Sequence, residues 1–171
     1  MKNNKTTEMH ITHESIPIFI DEHSSVLILG SLPSVKSREC GFYYGHKMNR
    51  FFLVLSSIFD EEEPLTIEER KGFLRKNHIA LYDVIYECDI YGSSDASIKN
   101  PIVIDLNKIL SDYPNIKVIG INGGKAKSLF DKYLLPKLDN KNIKVVYLPS
   151  TSPANAKMDV LSLQEEYQKL F

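Results

Sequence analysis

The chain has few cysteines, no long apolar run and no excess of charge of either sign. Its two cysteines, Cys40 and Cys88, lie far apart among 171 residues and match no metal-ligand spacing. The sequence therefore predicts neither a zinc site nor an iron–sulfur cluster, and both thiols are interpreted as buried or half-buried apolar groups. Since no signal sequence or membrane-length segment is visible, we expect a cytoplasmic protein without a membrane partner.

The charge balance gives no global sign of a polyanionic partner. The chain has 21 basic and 22 acidic residues, a net charge of -1. Many nucleic-acid binders are strongly basic, so tight nonspecific DNA binding is not predicted, although a local basic patch is not excluded. A length of 171 residues with 43% hydrophobic content fits one compact domain, which we expect to act as a monomer.

Short apolar runs of strand length alternate with stretches of helical periodicity. Strands are predicted at residues 26–29, 79–85, 117–121 and 143–148, and helices at 50–59, 66–77, 105–113, 124–135 and 159–170. This alternation predicts a three-layer α/β/α fold around a central, mostly parallel four-stranded sheet. Residues 1–20 have no clear period and are predicted to be a tail or an added edge strand, which leaves 21–171 as a single α/β domain.

Polar loops rich in glycine, proline, serine and asparagine follow all four predicted strands. They lie at residues 30–34, 86–97, 122–125 and 149–155. Glycine allows close approach of the backbone to a ligand and proline fixes loop shape. Any one loop taken alone is better explained as a turn. Because ligands bind at the carboxyl ends of parallel strands, the four together predict a pocket at one edge of the sheet.

The segment after the first strand combines aromatic, amide and basic groups. Tyr43 and Tyr44 stand close to His46, Asn49 and Arg50. An aromatic face stacks on any nucleobase for about 1–3 kcal/mol, and an amide supplies directional hydrogen bonds or positions a water. Local positive charge suited to phosphates comes from Lys36, Arg38, Lys47 and Arg50. These residues predict an aromatic-lined polar pocket that fits a base.

Several short motifs follow one another along the chain: GSLPS at 30–34, YYGHKMNRFF at 43–52, LYDVI at 81–85, GSSD at 92–95, NGGKA at 122–126 and PSTSPAN at 149–155. In their order and spacing they resemble the uracil-DNA glycosylase superfamily, and most of all its hypoxanthine-DNA (deoxyinosine) glycosylase branch. The similarity covers residues 24–170. It implies a DNA N-glycosylase that excises deaminated bases, hypoxanthine or uracil, and so initiates base excision repair. The implied partner is damaged DNA, double- or single-stranded, and no metal or small cofactor is implied.

The resemblance also implies roles for individual residues. Leu32 stands where most of the superfamily has an Asp or Asn that handles the water, and Asn49 matches the asparagine that the deoxyinosine branch uses instead. Asn49 is therefore the predicted catalytic residue, orienting the water and stabilising the sugar cation. Tyr44 would stack on the extruded base, and the backbone of Ser31 and Leu32 would face its polar edge. Further candidates for contacts to the base or water are Asp83 and Asn122.

The loop at residues 150–155 would press into the DNA while the nucleotide is extruded, a step that enzymes of this class drive at the cost of a few kcal/mol. Ala154 replaces a bulky wedge of related enzymes, and Ser150 replaces a histidine, so weaker plugging and less help to the leaving base are expected. The predicted DNA contacts are His46, Lys47, Arg50, Lys125, Ser150, Thr151, Ser152, Ala154 and Asn155. Thr151 and Asn155 are equally predicted to hold the turn, and His46 to bridge loop backbones.

The implied chemistry needs no covalent intermediate. Cleavage of the N-glycosidic bond places positive charge on the sugar and negative charge on the base, and fixed dipoles with a positioned water stabilise both. No lysine is expected in the centre to form a Schiff base, since Lys47 is assigned to phosphate. A monofunctional enzyme that leaves an abasic site is predicted. Ser34, Lys47 and Phe52 depart from the glycine, proline and tryptophan of the branch and leave the preferred base open.

Two other classes of protein remain as alternatives. In a nucleotide-binding domain, residues 122–125 would cradle a phosphate at the start of a helix, but they lack the spacing of a P-loop. A catalytically silent DNA-lesion binder would share the fold and lack the chemistry. The presence of Asn49 argues against the second alternative.

Overall fold

The computed structural model describes residues 8–91 and 97–171. Within these ranges the strands are β1 (Glu8–Thr12), β2 (Val26–Gly30), β3 (Ile79–Asp83), β4 (Ile85–Tyr91), β5 (Lys99–Val103), β6 (Val118–Asn122) and β7 (Lys144–Leu148). The α-helices are α1 (Val35–Cys40), α2 (Phe51–Ile58), α3 (Ile67–Lys76), α4 (Leu106–Asp112), α5 (Gly124–Leu129) and α6 (Val160–Tyr167). A π-helical turn, Phe130–Leu134, continues α5.

The four-stranded sheet is wholly parallel, with strand order β3-β2-β6-β7. Leu27, Ile28 and Leu29 of β2 are fully buried. Parallel strands covered on both faces have such continuous apolar runs, which is why the sequence located them well. Helix α2 packs against α6, α3 contacts β3 and α5 contacts β6. The predicted α/β/α class is confirmed.

Helix starts follow their capping residues. Thr66 and Glu69 form a reciprocal capping box at α3, in which Thr66 Oγ1 accepts from the Glu69 N–H at 3.1 Å and Glu69 Oε2 accepts from the Thr66 N–H at 3.0 Å. Asp105 and Asp159 cap α4 and α6 with one bond each, accepted from the N–H groups of Lys108 and Ser162. The predicted helices at residues 50–59, 66–77, 105–113 and 159–170 therefore contain the observed ones. The helix predicted at 124–135 is shorter, since its second half is the π-helical turn.

The prediction for residues 79–97 is wrong in part. β3 ends at Asp83, and after Val84 the chain begins β4, the central strand of a second, antiparallel sheet with order β1-β4-β5. Residues 86–91 of the predicted loop are thus strand. β4 is not a continuous apolar run, because buried Cys88 and Ile90 alternate with half-exposed polar residues, and its pairing with β5 is irregular. The GSSD motif at 92–95 lies outside the described residues.

Two other segments have regular structure that the hydrophobic pattern of the sequence did not predict. β1 pairs antiparallel with β4, and Phe19 exchanges backbone hydrogen bonds of 3.0 and 2.8 Å with Leu81 at the outer edge of β3. Helix α1 was not predicted; its N-cap is Ser34, whose Oγ accepts from the Ser37 N–H at 3.1 Å.

Cys40, which ends α1, is exposed, contrary to the interpretation of both thiols as buried or half-buried, whereas Cys88 is buried. No α-helix in the described ranges is both long and apolar enough to span a bilayer.

Candidate active site

A cavity of about 700 Å³ opens at the carboxyl edge of the parallel sheet. The turns after β2, β6 and β7 line it, together with the end of β3 and the segment between α1 and α2. Thirteen residues predicted to act on the base, the water or the DNA lie on its wall: Ser31, Leu32, Tyr44, His46, Asn49, Asp83, Asn122, Lys125, Ser150, Thr151, Ser152, Ala154 and Asn155. The lining omits two of the predicted residues, Lys47 and Arg50.

The adjacent tyrosines have different environments. Tyr43 is buried in the core, where its hydroxyl donates to the Pro17 carbonyl at 3.0 Å. Tyr44 is half-buried and adopts a left-handed backbone with φ of 53°, which costs an L-residue roughly 1–2 kcal/mol. Its ring stacks on Phe51 with centroids 3.8 Å apart and planes 12° from parallel. Phe51 thus supports one face of Tyr44, as a stacking platform requires.

The Tyr44 hydroxyl is kept protonated by its surroundings. Burial raises its pKa well above the ordinary tyrosine value, and the negative charge of Asp83 adds to the rise, while a hydrogen bond with the Asn122 side chain opposes it. A protonated hydroxyl at the base of the cavity is available as a donor.

Asn49 is held by the start of the helix that follows it. Its Oδ1 accepts from the Phe51 N–H at 2.9 Å, and its own N–H donates to the His46 carbonyl at 2.8 Å. Because a backbone N–H faces the side chain, the bonded atom must be the oxygen, which fixes the orientation of the amide. One lone pair of Oδ1 and both Nδ2 hydrogens remain for a water or a sugar.

Asp83 ends β3 on the floor of the cavity and is almost fully buried. Its Oδ1 occupies the space next to Gly30, where any side chain at position 30 would overlap it. Glycine at position 30 is therefore required to leave space for the carboxylate, and not to allow a turn of the backbone. The next two residues of the chain also contact this loop, since the N–H groups of Val84 and Ile85 donate to the carbonyls of Gly30 and Ser31.

The loops after β6 and β7 are joined by a side-chain link. The Asn122 amide donates to Thr151 Oγ1 at 3.3 Å and accepts from the Thr151 N–H at 3.4 Å. Gly123 has a φ of 95°, and its N–H donates to the Leu148 carbonyl at 2.9 Å. The Asn122 side chain and the Gly123 N–H are thus engaged within the protein and join the two loops.

Arg50 stabilises the loop at 150–155, a role that the sequence did not predict for it. Its guanidinium donates to the Asn155 carbonyl at 2.8 Å, to the Ser152 carbonyl at 3.2 Å and to the Met158 carbonyl. Its backbone N–H donates to the Thr151 carbonyl at 3.1 Å. These bonds direct the charge of Arg50 into the protein instead of toward a phosphate.

The side chains of the same loop mostly hold its turn. Ser150 Oγ accepts from the Ser152 N–H at 3.1 Å, Ser152 Oγ accepts from the Ala154 N–H at 3.2 Å, and Asn155 Nδ2 donates to the Ser150 carbonyl at 2.9 Å. Thr151 is buried. Pro153 and Ala154 are exposed at the tip, which is the part of the loop that a duplex would meet.

The histidine and the basic residues surround the cavity at different depths. His46 Nδ1 accepts from the Met48 N–H at 3.0 Å, which leaves the hydrogen of the neutral ring on Nε2. Lys36 and Lys125 line the cavity, and Lys36 is paired with Glu39 at 2.9 Å. The expectation that no lysine forms a Schiff base at the centre stays a prediction. Lys47 is exposed outside the lining.

Sequence reasoning missed two residues that organise this site. Ser37 of α1 is buried, and its Oγ accepts from the Gly45 N–H at 3.2 Å, which ties α1 to the segment that carries Tyr44. The S-x-x-S spacing of Ser34 and Ser37 was a signal for the helix cap. His13 lies 3.0 Å from Asp83, and no motif near it pointed to that contact.

Comparison with known proteins places the chain in a family. No family model matches it. The hypoxanthine DNA glycosylase of Methanosarcina barkeri is 34% identical over 114 residues, which are 66% of this chain and 72% of that protein. The hypoxanthine DNA glycosylase of Methanosarcina acetivorans is 31% identical over 156 residues, 91% of this chain and 95% of that one. The chain belongs to the hypoxanthine-DNA glycosylase branch of the uracil-DNA glycosylase superfamily.

The fold of this glycosylase agrees with its family. A solution NMR structure of a candidate uracil DNA glycosylase from Methanosarcina acetivorans superposes with a TM-score of 0.75 at 28% identity, covering 91% of this chain and 96% of that one. The chain is accordingly a DNA N-glycosylase, a hydrolase of N-glycosyl bonds, with DNA as its substrate. The cavity at the edge of the parallel sheet is its candidate active site.

Proposed function

We propose that the enzyme excises hypoxanthine or uracil from DNA by extruding the nucleotide into the cavity and directing a water at the sugar carbon of the N-glycosidic bond. The observation that carries the proposal is that Tyr44 and Asn49 line the same cavity, each fixed by a different group of Phe51. A stacking platform and a water-positioning amide are then held at one helix start. The names of the two relatives support the choice of a deaminated base.

In this proposal the extruded base stacks on the open face of Tyr44. The N–H groups of Ser31 and Leu32 and the side chains of Asp83 and Asn122 contact its polar edge. Asn49 holds the water through the free lone pair of Oδ1, and its dipole stabilises the positive charge that develops on the deoxyribose. The reaction breaks the bond between the sugar and the base nitrogen, adds the water oxygen to the sugar and releases the base.

DNA is engaged by the rim of the cavity. Lys125 and the Nε2–H of His46 are assigned to phosphates, together with exposed Lys47. The Pro153–Ala154 tip enters the duplex, and its small size predicts weak plugging of the gap. A monofunctional outcome is proposed because the Lys36 ammonium is paired with Glu39. We propose that the enzyme acts as a monomer on either double- or single-stranded DNA.

Base release tests the proposal directly. Duplex and single-stranded oligonucleotides carrying deoxyinosine, deoxyuridine or deoxyxanthosine are incubated with the enzyme and then treated with hot alkali. We expect scission at the deaminated base, and none in matched oligonucleotides carrying deoxyadenosine or deoxycytidine. Binding without scission on every substrate would show a silent lesion binder instead.

The monofunctional assignment has its own readout in the same samples. Scission is expected only after alkali, and borohydride should trap no protein–DNA adduct. A trapped adduct that disappears in Lys125→Ala or Lys36→Ala would show that a cavity lysine attacks the sugar.

A further inference from the structure

A buried histidine contacts the carboxylate on the cavity floor from behind. His13 lies in the single 3₁₀ turn after β1, His13–Ser15, and its side chain has no exposed surface. Its Nε2 is 3.0 Å from Oδ2 of Asp83, whose side chain is 7% exposed. The contact is short but not straight, since neither atom has an aligned hydrogen-bond partner within residues 8–91 and 97–171.

The orientation of the His13 ring is fixed on its other side. Nδ1 lies 2.7 Å from the Ile16 carbonyl oxygen, which only accepts, so Nδ1 carries a hydrogen. The rings of Tyr82, Tyr43 and Tyr86 surround the imidazole, with centroids 4.7, 6.1 and 6.3 Å away. A ring exchange that would turn Nδ1 toward Asp83 would break the bond to Ile16 inside a packed environment.

The contact requires a proton. Two buried lone pairs 3.0 Å apart would repel each other and leave both atoms without a partner, which is strongly unfavourable away from water. The short contact therefore needs a hydrogen on one of the two atoms, Nε2 or Oδ2. In the first case Asp83 is a carboxylate, and in the second it is an acid whose hydrogen faces His13. In both cases Oδ1 carries no hydrogen and acts only as an acceptor.

Oδ1 is the atom that the cavity offers to a ligand. It lies beside the backbone of Gly30, and the Tyr44 hydroxyl is 4.0 Å from the point where a Gly30 side chain would begin. Gly30, Tyr44 and Asp83 all line the cavity. An obligate acceptor is thus placed on the floor next to the ring that is proposed to stack on the base.

We propose that His13 is a positioning residue that makes the site select bases with a ring N–H. Hypoxanthine carries a hydrogen on N1 and uracil on N3, and each can donate to Oδ1 of Asp83. Adenine N1 and cytosine N3 present lone pairs at the corresponding positions, which an acceptor oxygen repels. By keeping the Asp83 hydrogen away from Oδ1, His13 disfavours adenine and cytosine, the two bases whose deamination gives hypoxanthine and uracil; guanine and thymine carry the same ring N–H, and this contact does not discriminate against them. This inference rests on the proposed function and deepens it.

Two isosteric variants separate this role from a structural one. In His13→Asn the amide nitrogen replaces Nδ1 and keeps the bond to Ile16, but nothing faces Asp83. In His13→Gln the amide nitrogen replaces Nε2 and donates to Oδ2, but the bond to Ile16 is lost. The matched control is His10→Gln, which changes an exposed histidine of β1, three residues before His13.

The readout is the ratio of single-turnover release rates for two duplexes, one carrying deoxyinosine and one carrying deoxynebularine, a purine without the ring N–H and the oxygen. The N-glycosidic bonds of deoxyinosine and deoxynebularine differ in intrinsic lability. This difference cancels when the ratio measured for each variant is compared with the ratio measured for the wild type. We expect His13→Asn to lower the ratio by about tenfold or more, the loss expected for one hydrogen bond, and His13→Gln to restore most of it. His10→Gln should leave the ratio unchanged.

A second variant reaches the same atom without touching the histidine. In Gly30→Ala the methyl group would overlap Oδ1 and turn the carboxylate. A similar loss of the ratio is expected. If both His13 variants lower the release rates of hypoxanthine and nebularine equally, the ratio of the two rates stays constant. His13 then has only a structural role, and the inference is overturned.

Failure of the inference and failure of the proposed function give different results. The ¹⁵N shift of His13 Nε2 should be that of a hydrogen-bonded nitrogen in the wild type and should change in Asp83→Leu, whether or not the enzyme is active. An unchanged shift would refute the pair even in an enzyme that releases hypoxanthine. An intact signal without base release from any duplex would refute the proposed function and, with it, the selection of bases.

Discussion

The two sheets of this glycosylase differ in what they contribute. The parallel sheet, β3-β2-β6-β7, has an apolar interior and ends in the turns that form the cavity. The antiparallel sheet, β1-β4-β5, is half exposed and carries pairs such as His10 with Asp89. One residue, Val84, separates β3 from β4, so the two sheets are joined at the cavity floor.

This difference separates groups that meet the substrate from groups that support them. Tyr44, Asn49 and Asp83 face the cavity from the edge of the parallel sheet, while the segment after β1 delivers His13 behind that edge. Substitutions at the edge should change base release or lesion binding. Substitutions in the antiparallel sheet should change stability alone, and His13 is the expected exception.

The largest effect is expected at Asn49. In Asn49→Ala the water and the developing sugar cation lose a fixed dipole, and the single-turnover rate of base release should fall by about 100- to 1000-fold. Quenched time points of a deoxyinosine duplex, developed with alkali, measure it.

Asn49→Asp is the matched control, because a carboxylate oxygen keeps the bond to the Phe51 N–H and can still hold a water. It should retain more activity than Asn49→Ala at a similar melting temperature. Unchanged activity in Asn49→Ala would transfer the catalytic role to another residue of the cavity, with Asp83 and His46 as the next candidates.

Tyr44 should affect binding more than chemistry. Tyr44→Leu removes the stacking face, and lesion affinity should fall by about 1–3 kcal/mol. Fluorescence anisotropy with a deoxyinosine duplex, in the Asn49→Ala background so that the base is not released, measures the change. Tyr44→Phe keeps the ring and loses the hydroxyl, and it should bind nearly as well as the parent. Equal losses in both variants would assign the effect to the hydroxyl.

Substitution of Arg50 tests whether this residue stabilises the loop at 150–155 or contacts the DNA. Arg50→Met removes the guanidinium bonds to three carbonyls, and the free energy of unfolding should fall by about 2 kcal/mol. Chemical denaturation measures it. The salt dependence of DNA binding should not change. If instead stability is kept and the salt slope drops by about one, Arg50 contacts a phosphate, as the sequence suggested.

The smallest effect is expected in the antiparallel sheet. The hydrogen bond to Asp89 raises the pKa of exposed His10, and the hydrogen bonds from His10 and Asn100 lower the pKa of Asp89. Stabilisation from His10 is complete below its ordinary pKa and is lost as the pH rises through the raised value. Stabilisation from Asp89 is present above its ordinary pKa and is lost as the pH falls through the lowered value.

The pair therefore contributes most in mildly acidic solution. The melting temperature of the wild type should exceed that of His10→Gln slightly at about pH 5, and by less at about pH 8.5. Base release should be the same in both proteins. A changed release rate would contradict the division of labour between the sheets.

The sequence located the parallel sheet because β2 and β3 are buried along almost their whole length and the strands are mostly apolar. It missed β4 because buried Cys88 and Ile90 alternate with half-exposed Glu87 and Asp89, and β5 because none of its residues is buried. Helix caps were more informative than periodicity, since Thr66, Asp105 and Asp159 mark the helix starts. The same signal at Ser34 was present and unused.

The site was predictable where the chemistry is local in sequence. Tyr44 and Asn49 lie in one motif, and the structure places both on the cavity, although their proposed roles still await measurement. The part played by Arg50 was not predictable, because its partners lie more than 100 residues away. His13 and Asp83 are brought together only by the packing of one sheet behind the other.

The short bridge between Phe19 and Leu81 has a consequence for how the enzyme behaves in crowded solution. β3 is an outer strand of the parallel sheet, and its free backbone groups would otherwise accept a strand from another molecule. The two hydrogen bonds exchanged between Phe19 and Leu81 occupy the middle of that strand. The segment before β2 therefore hinders intermolecular strand addition at this edge, a task separate from catalysis.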